Sequence, residues 1–186
     1  MYGMSPFTLY FTLMDYGVNL EDPELQKKYG AYSGHDLANT IYSRYFKSYS
    51  GVKDLISEQK KKARKEKFVE TLLGRKIYLP DIHSNDAGKR SYSERLSTNG
   101  AIQGSAADVI MSAQVRLEDN LRLKMLGVEQ LMQIHDEVLF QIPEKNMEKA
   151  IPLIVRLMEN PFKGKIKMNV DLTVSYDIGN SYFEAK

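Results

Sequence analysis

No cysteine occurs among the 186 residues, which excludes disulfide frameworks, thiolate-ligated zinc and cysteine nucleophiles together. Tryptophan is absent as well, and histidine is scarce. With no second histidine at ligand spacing beside His135, a zinc site there lacks its usual donors. No run approaches the ~20 consecutive apolar residues that a membrane span needs. The opening Met1-Tyr2-Gly3-Met4-Ser5 has neither the basic nor the apolar segment of a secretion signal, so the expected location is cytoplasmic. Charge of one sign is not in large excess either: 26 Lys and Arg against 24 Asp and Glu leave +2. What is present is a 42% hydrophobic content, typical of a folded protein, and a length suited to one domain or a large piece of one.

Local charge says more than net charge. Between Gln59 and Lys67, the residues Lys60, Lys61, Lys62, Arg64, Lys65 and Lys67 oppose a single acid, Glu66. Such a block can attract phosphates and brings nucleic acid in as a candidate partner. Charge runs on exposed helices are more commonly solvated faces, and both readings stand at this point.

The first ~35 residues, punctuated by Pro6, Gly17, Pro23, Gly30 and Gly34, suggest short helices joined by turns. Leu37, Ile41, Tyr45 and Phe46 keep helical spacing as far as Gly51, and a second helix is expected from Lys53 to about Lys67. Val69 to Leu79 reads as a short hairpin around Leu73-Gly74-Arg75, followed by a polar loop from Asp81 to Lys89. Leu96, Ile102, Val109, Ile110, Ala113, Leu117 and Leu121 then keep one side of a long helix apolar. Val128–Ile134 and Val138–Ile142 read as two strands, and Met147 to Met158 as an amphipathic helix. Met168–Tyr176 reads as a last strand with Val170, Leu172 and Val174 inward. The fold class is α+β: a small antiparallel sheet packed by several helices.

Two groups of residues suggest chemistry. His135-Asp136-Glu137 forms the expected apex between two apolar strands, where Gly or Asn would be the easier turn residues. Adjacent carboxylates repel, and a divalent cation relieves the repulsion. Mg²⁺ suits them, being typically held by one or two carboxylates plus substrate phosphates. A solvated acidic turn is the competing reading. The second group is Arg95, Asn99 and Gln103, spaced i, i+4, i+8 on one face of the long helix. These side chains can donate to the minor-groove acceptors that every base pair presents, and so test pairing without reading sequence. Gly100 and Gly104 interrupt that helix at roughly 1 kcal/mol each, which makes sense if a backbone or a nucleic acid strand approaches closely. A polar face with helix-packing glycines is the alternative.

Taken together, Arg95-Leu96-Ser97-Thr98-Asn99 through Gln103 to Asp108, and Gln133-Ile134-His135-Asp136-Glu137, resemble the C-terminal palm region of family A DNA polymerases, the bacterial polymerase I group. Thr71-Leu72-Leu73-Gly74-Arg75 onward resembles the family's segment leading into that helix. Tyr2-Gly3-Met4-Ser5 resembles the end of its fingers motif. Gly179-Asn180-Ser181-Tyr182 resembles its closing motif, with tyrosine in place of tryptophan. The blocks occur in family order over nearly the whole chain, with residues from about Asp15 to Asn39 resembling an insertion.

The resemblance implies residues 1–80 as the remainder of a fingers subdomain and 81–186 as the C-terminal part of a palm with a metal-binding hairpin. It implies Asp136 as one of two palm aspartates holding two catalytic Mg²⁺ ions, Glu137 as an auxiliary carboxylate, and His135 at the primer end. It implies Arg95, Asn99, Gln103 and Gln133 along the minor groove, and Tyr2 lining the nascent pair pocket. The partners implied are primer-template DNA and a deoxynucleoside triphosphate, in a bacterial or phage-infected host cytoplasm. The family's first palm aspartate and its triphosphate-binding fingers residues have no counterpart here, so the chain alone is expected to be inactive, its metals being shared with the missing half. The expectation is one half of a split polymerase completed by an N-terminal chain, with a fragment of a longer enzyme as the other explanation. The competing functions are a non-catalytic DNA-binding or assembly subunit using the block from Lys60 and the Arg95 stripe, and a metal-dependent nuclease using Asp136 and Glu137.

Overall fold

The computed structural model of the chain describes residues 4–185, so Tyr2 lies outside the described residues. The chain divides into two compact units, Met1–Gly104 and Ser105–Lys186. The long helix crosses the division.

The first unit opens with three helices, α1 (Pro6–Asp15), α2 (Pro23–Tyr29) and α3 (Gly34–Ser48). Their starts are written locally. Ser5, Asp22 and Ser33 each accept a backbone N–H from the first turn, and Pro6 and Pro23 stand at the first helical position, where a missing N–H costs nothing. Gly30 ends α2 with φ 69°, a left-handed conformation that glycine adopts without strain. Leu20, Ala31 and Leu37 form a buried cluster beneath Tyr10, Leu13, Leu25 and Ile41. The segment that resembles an insertion thus contributes to a core of its own.

Helix α4 (Ser50–Glu66) turns at Lys67 into the antiparallel hairpin β1 (Phe68–Glu70) and β2 (Lys76–Tyr78), registered Val69↔Ile77. A 3₁₀ turn at Pro80–His83 leads to α5 (Ala87–Glu118). Asp86 starts α5 by accepting from the N–H groups of Gly88 (2.8 Å) and Lys89 (3.1 Å). Ala63, Val69, Leu79, Ile82 and Ala101 form the core of this part, with Ile77 and Leu96 against it. Small and polar residues, Ser93, Ser97 and Thr98, are buried on the same stretch of α5, so its packing face is close-set and only weakly apolar.

In the second unit, α6 (Leu121–Met125) is followed by β3 (Glu129–Ile134), β4 (Glu137–Gln141), a 3₁₀ turn at Glu144–Asn146 and α7 (Met147–Glu159). Leu117, Leu123, Ala150, Leu153, Ile154 and Leu157 make its core, capped by Val128, Phe140 and Ile142. Leu121, expected on the apolar side of one long helix, is 75% exposed. The helix stops at Glu118 and Asn120 caps a new one, which resets the phase.

Two expectations about the sheet change. The strands form two separate two-stranded sheets among the described residues. The run Met168–Tyr176 forms no strand: Val170 is 77% exposed, whereas Leu172 and Val174 are half-buried. Alternation specifies which residues face inward, but a strand also needs ladder hydrogen bonds to a neighbour, and among the described residues β3 and β4 make theirs only with each other, leaving their outer edges unpaired by this run. The Val174 N–H donates instead to Glu159 Oε1 at 3.2 Å.

Candidate functional site

The β3–β4 ladder closes on the pair Ile134↔Glu137, leaving His135 and Asp136 as a two-residue turn. His135 has φ 55°, a positive value of the kind that tight hairpin turns require and that glycine normally provides. An L-residue held there is strained, and such outliers cluster at functional sites. Gln133 braces the turn, its Nε2 donating to the His135 carbonyl at 2.8 Å. A bulge between Gln130 and Met132 adds one residue to β3, and bulges commonly re-aim side chains next to sites.

His135, Asp136 and Glu137 are all exposed. Asp136 and Glu137 lie on the lining of an open groove of about 1310 Å³, floored by Val138 and Phe140 and walled by α7 and by residues 173–185. Helix α7 therefore has two apolar arcs. Ala150, Leu153 and Leu157 face the core, Met147, Ile151 and Val155 border the groove, and Ile154 and Met158 touch both. The donor chemistry fits magnesium: two adjacent hard carboxylates, accessible, with room for phosphate oxygens and water. Among the described residues no group of three acidic or histidine side chains gathers to complete a site.

The polar stripe lies on α5 in the first unit. Arg95 and Gln103 are exposed and Asn99 is half-buried. Arg95 Nη1 donates to Ser91 Oγ at 2.9 Å, one turn earlier on the same helix. The Asn99 side-chain oxygen is enclosed and unpartnered. The glycine signal resolves on the protein side: the space beside Gly100 and Gly104 is filled by Ile77 and Thr71 of the β1–β2 hairpin. Arg75, which sequence reasoning passed over, reaches α5 from that hairpin and donates to the Gly104 carbonyl at 3.1 Å. The signal that could have revealed it was the paired helix glycines following a Thr71-x-x-Gly74-Arg75 turn.

The basic block is largely engaged. Lys60 (3.3 Å) and Arg64 (2.6 Å) both bind the Glu94 carboxylate on α5, and Lys62 pairs with Glu70 at 2.5 Å. The Arg64 hydrogen bond, more than the Lys60 contact, holds the Glu94 carboxyl below its usual range against the opposing effect of burial. No helix among the described residues is long and apolar enough to cross a membrane.

Comparison with known proteins converges on one group. The family model described as DNA polymerase family A matches residues 1–184. DNA polymerase I of Rhizobium leguminosarum is 37% identical over 150 residues, covering 80% of this chain and 15% of that protein. DNA polymerase I of Bacillus caldotenax is 33% identical over 180 residues, 97% of this chain and 19% of that protein. The POL domain of Pol1 from M. smegmatis, solved in complex with DNA primer-template and dNTP, is similar with a TM-score of 0.75 at 30% identity, over 94% of this chain and 30% of that one. The chain thus spans less than a fifth of the length of these two polymerase I relatives.

Proposed function

Because the chain belongs to DNA polymerase family A, we propose that it is the C-terminal part of a DNA-directed DNA polymerase of replication or repair. It would extend a primer when joined by an N-terminal portion that carries the other palm aspartate and the triphosphate-binding fingers residues. Residues 1–80 are the rest of the fingers in this reading, and 81–186 the end of the palm. The observation that carries it is the strained two-residue turn, which holds Asp136 and Glu137 exposed on an open groove.

Enzymes of this family depend on metal ions. Here Asp136, with Glu137 beside it, would hold two Mg²⁺ ions jointly with the N-terminal portion. When bound, such ions activate the attacking oxygen and neutralise charge on the leaving group. In the reaction the primer 3′ hydroxyl loses its proton to water and its oxygen bonds to the α-phosphorus as the bond to pyrophosphate breaks. His135, at the tip, would meet the primer end. Arg95, Asn99, Gln103 and Gln133 would hydrogen-bond the minor-groove edge of the newest base pairs, contacts that depend on pairing geometry and ignore sequence. Tyr2 would line the pocket for the incoming nucleotide.

The reading of the chain as a non-catalytic DNA-binding or assembly subunit drew on the block from Lys60 and on the Arg95 stripe; the pairing of Lys60, Lys62 and Arg64 with carboxylates weakens the block as a phosphate-binding face and leaves the stripe to both readings. The test is primer extension in Mg²⁺ by this chain, by an N-terminal polymerase portion, and by the two combined. Extension by the combination alone supports the proposal. A combination that binds primer-template DNA without extending it supports the non-catalytic subunit instead.

A further inference from the structure

We infer that the β1–β2 hairpin is a positioning element for the DNA-contacting face of α5, with Thr71, Arg75 and Ile77 setting where Asn99 and Gln103 stand. This rests on the reading of the Arg95–Gln103 stripe as a minor-groove contact. A Cβ built at Gly104 would lie 2.5 Å from Thr71 Cγ2 and 3.1 Å from Ile77 Cδ1, and one at Gly100 would lie 3.3 Å from Ile77 Cδ1. At Gly104 the hairpin is therefore seated closer to the helix than a Cβ permits without a shift, whereas at Gly100 a Cβ would only require Ile77 to give slightly. Arg75 adds a hydrogen bond from Nη2 to the Gly104 carbonyl. The seat itself is stiff. The Thr71 N–H donates to the Arg75 carbonyl (3.0 Å), the Gly74 N–H to the Thr71 carbonyl (2.9 Å), and the Arg75 N–H to Thr71 Oγ1 (3.2 Å). Thr71 is 6% exposed, so its methyl has little room to retreat.

Each seat glycine directly follows a stripe residue: Gly100 follows Asn99, and Gly104 follows Gln103. Relieving a contact from 2.5 Å to the ordinary 3.4 Å by moving the helix would carry Gln103 along by roughly the same distance. Misplacement by about 1 Å can cost on the order of 100-fold where contacts must be made in one geometry.

The test uses the assembled polymerase and a fluorescently labelled primer-template duplex. Gly104→Ala should raise Kd and KM for the duplex about tenfold while kcat at saturating duplex stays within about twofold. Adding Thr71→Ser, which deletes Cγ2 and keeps the hydroxyl, should return both constants to within about twofold of the parent. A neutral Gly104→Ala overturns the inference. So does a loss that Thr71→Ser fails to rescue, because the glycine would then be required by something other than the hairpin, such as a DNA strand against the helix. If Gly104→Ala does not fold, Gly100→Ala with and without Ile77→Val makes the same comparison at the milder contact. Gln103→Ala separates the two layers. Unchanged duplex affinity in that variant removes the minor-groove reading, whereas hydrogen exchange at residues 99–104, faster in Gly104→Ala and restored by Thr71→Ser, reports on the seat alone. Exchange that stays fast with Thr71→Ser present also overturns the inference.

Discussion

Replacing His135 with glycine should separate stability from activity at the hairpin tip. His135 sits at φ 55° with an exposed side chain. An L-residue in the left-handed region is strained by about 1–2 kcal/mol, whereas glycine is not. Glycine restores about 0.4–1 kcal/mol of conformational freedom to the unfolded chain, which acts in the opposite direction. The difference leaves His135→Gly between roughly neutral and about 1.5 kcal/mol more stable. Urea unfolding of the chain reads this directly, as an unchanged or raised midpoint at constant slope. Primer extension by the assembled enzyme should fall, because the group proposed to meet the primer end is gone. Two results would refute the reasoning. A clear loss of stability would mean that the imidazole holds the turn by packing, and undiminished extension would mean that the strain serves no catalytic purpose.

Arg95→Ala and Gln103→Ala should each weaken primer-template binding by about 1 kcal/mol, roughly fivefold, and increase extension from mismatched ends, with equal effects across template sequences. Effects confined to one sequence would contradict a pairing-geometry role. At low pH the clamp on Glu94 should open. Its folded-state pKa is depressed, so its contribution is full above the ordinary glutamate range and is lost as pH falls through the lower folded value. Glu94→Gln should therefore flatten the dependence of the unfolding midpoint on pH below about 4.5, and an unchanged slope would show that the pair with Arg64 and Lys60 adds nothing.

The helices were legible because their signals are local. Pro6, Gly17, Pro23, Gly30 and Gly34 marked out short helices that the structure reproduces, and the apolar spacing of Met147 to Met158 gave α7 to within one residue, whereas the restart capped by Asn120 went unread. The β3–β4 hairpin was legible for the same reason: two apolar runs flank a polar triplet. The last strand was not, because whether Met168–Tyr176 forms a ladder depends on a neighbour that no local pattern describes. The glycines of α5 show the limit most clearly. Gly100 and Gly104 signalled a close approach, but the sequence could not say whether protein or nucleic acid approached, and the partners came from residues 23 or more positions away. The ion pairs of the basic block were unreadable for a related reason, since the carboxylate of Glu94 lies 30 residues after Arg64. Of the candidate site, the residue types and the exposed acidic tip were readable, whereas the bracing by Gln133 and Arg75 required coordinates.

In the proposed function, Asp136 carries metal-dependent nucleotidyl transfer. Its most direct test is Asp136→Ala in the assembled enzyme, with single-nucleotide incorporation measured across a Mg²⁺ titration. Incorporation should fall by several orders of magnitude, with primer-template affinity kept within a few-fold because the stripe on α5 is untouched. Incorporation at the parent rate would contradict the assignment of the hairpin tip as the catalytic centre.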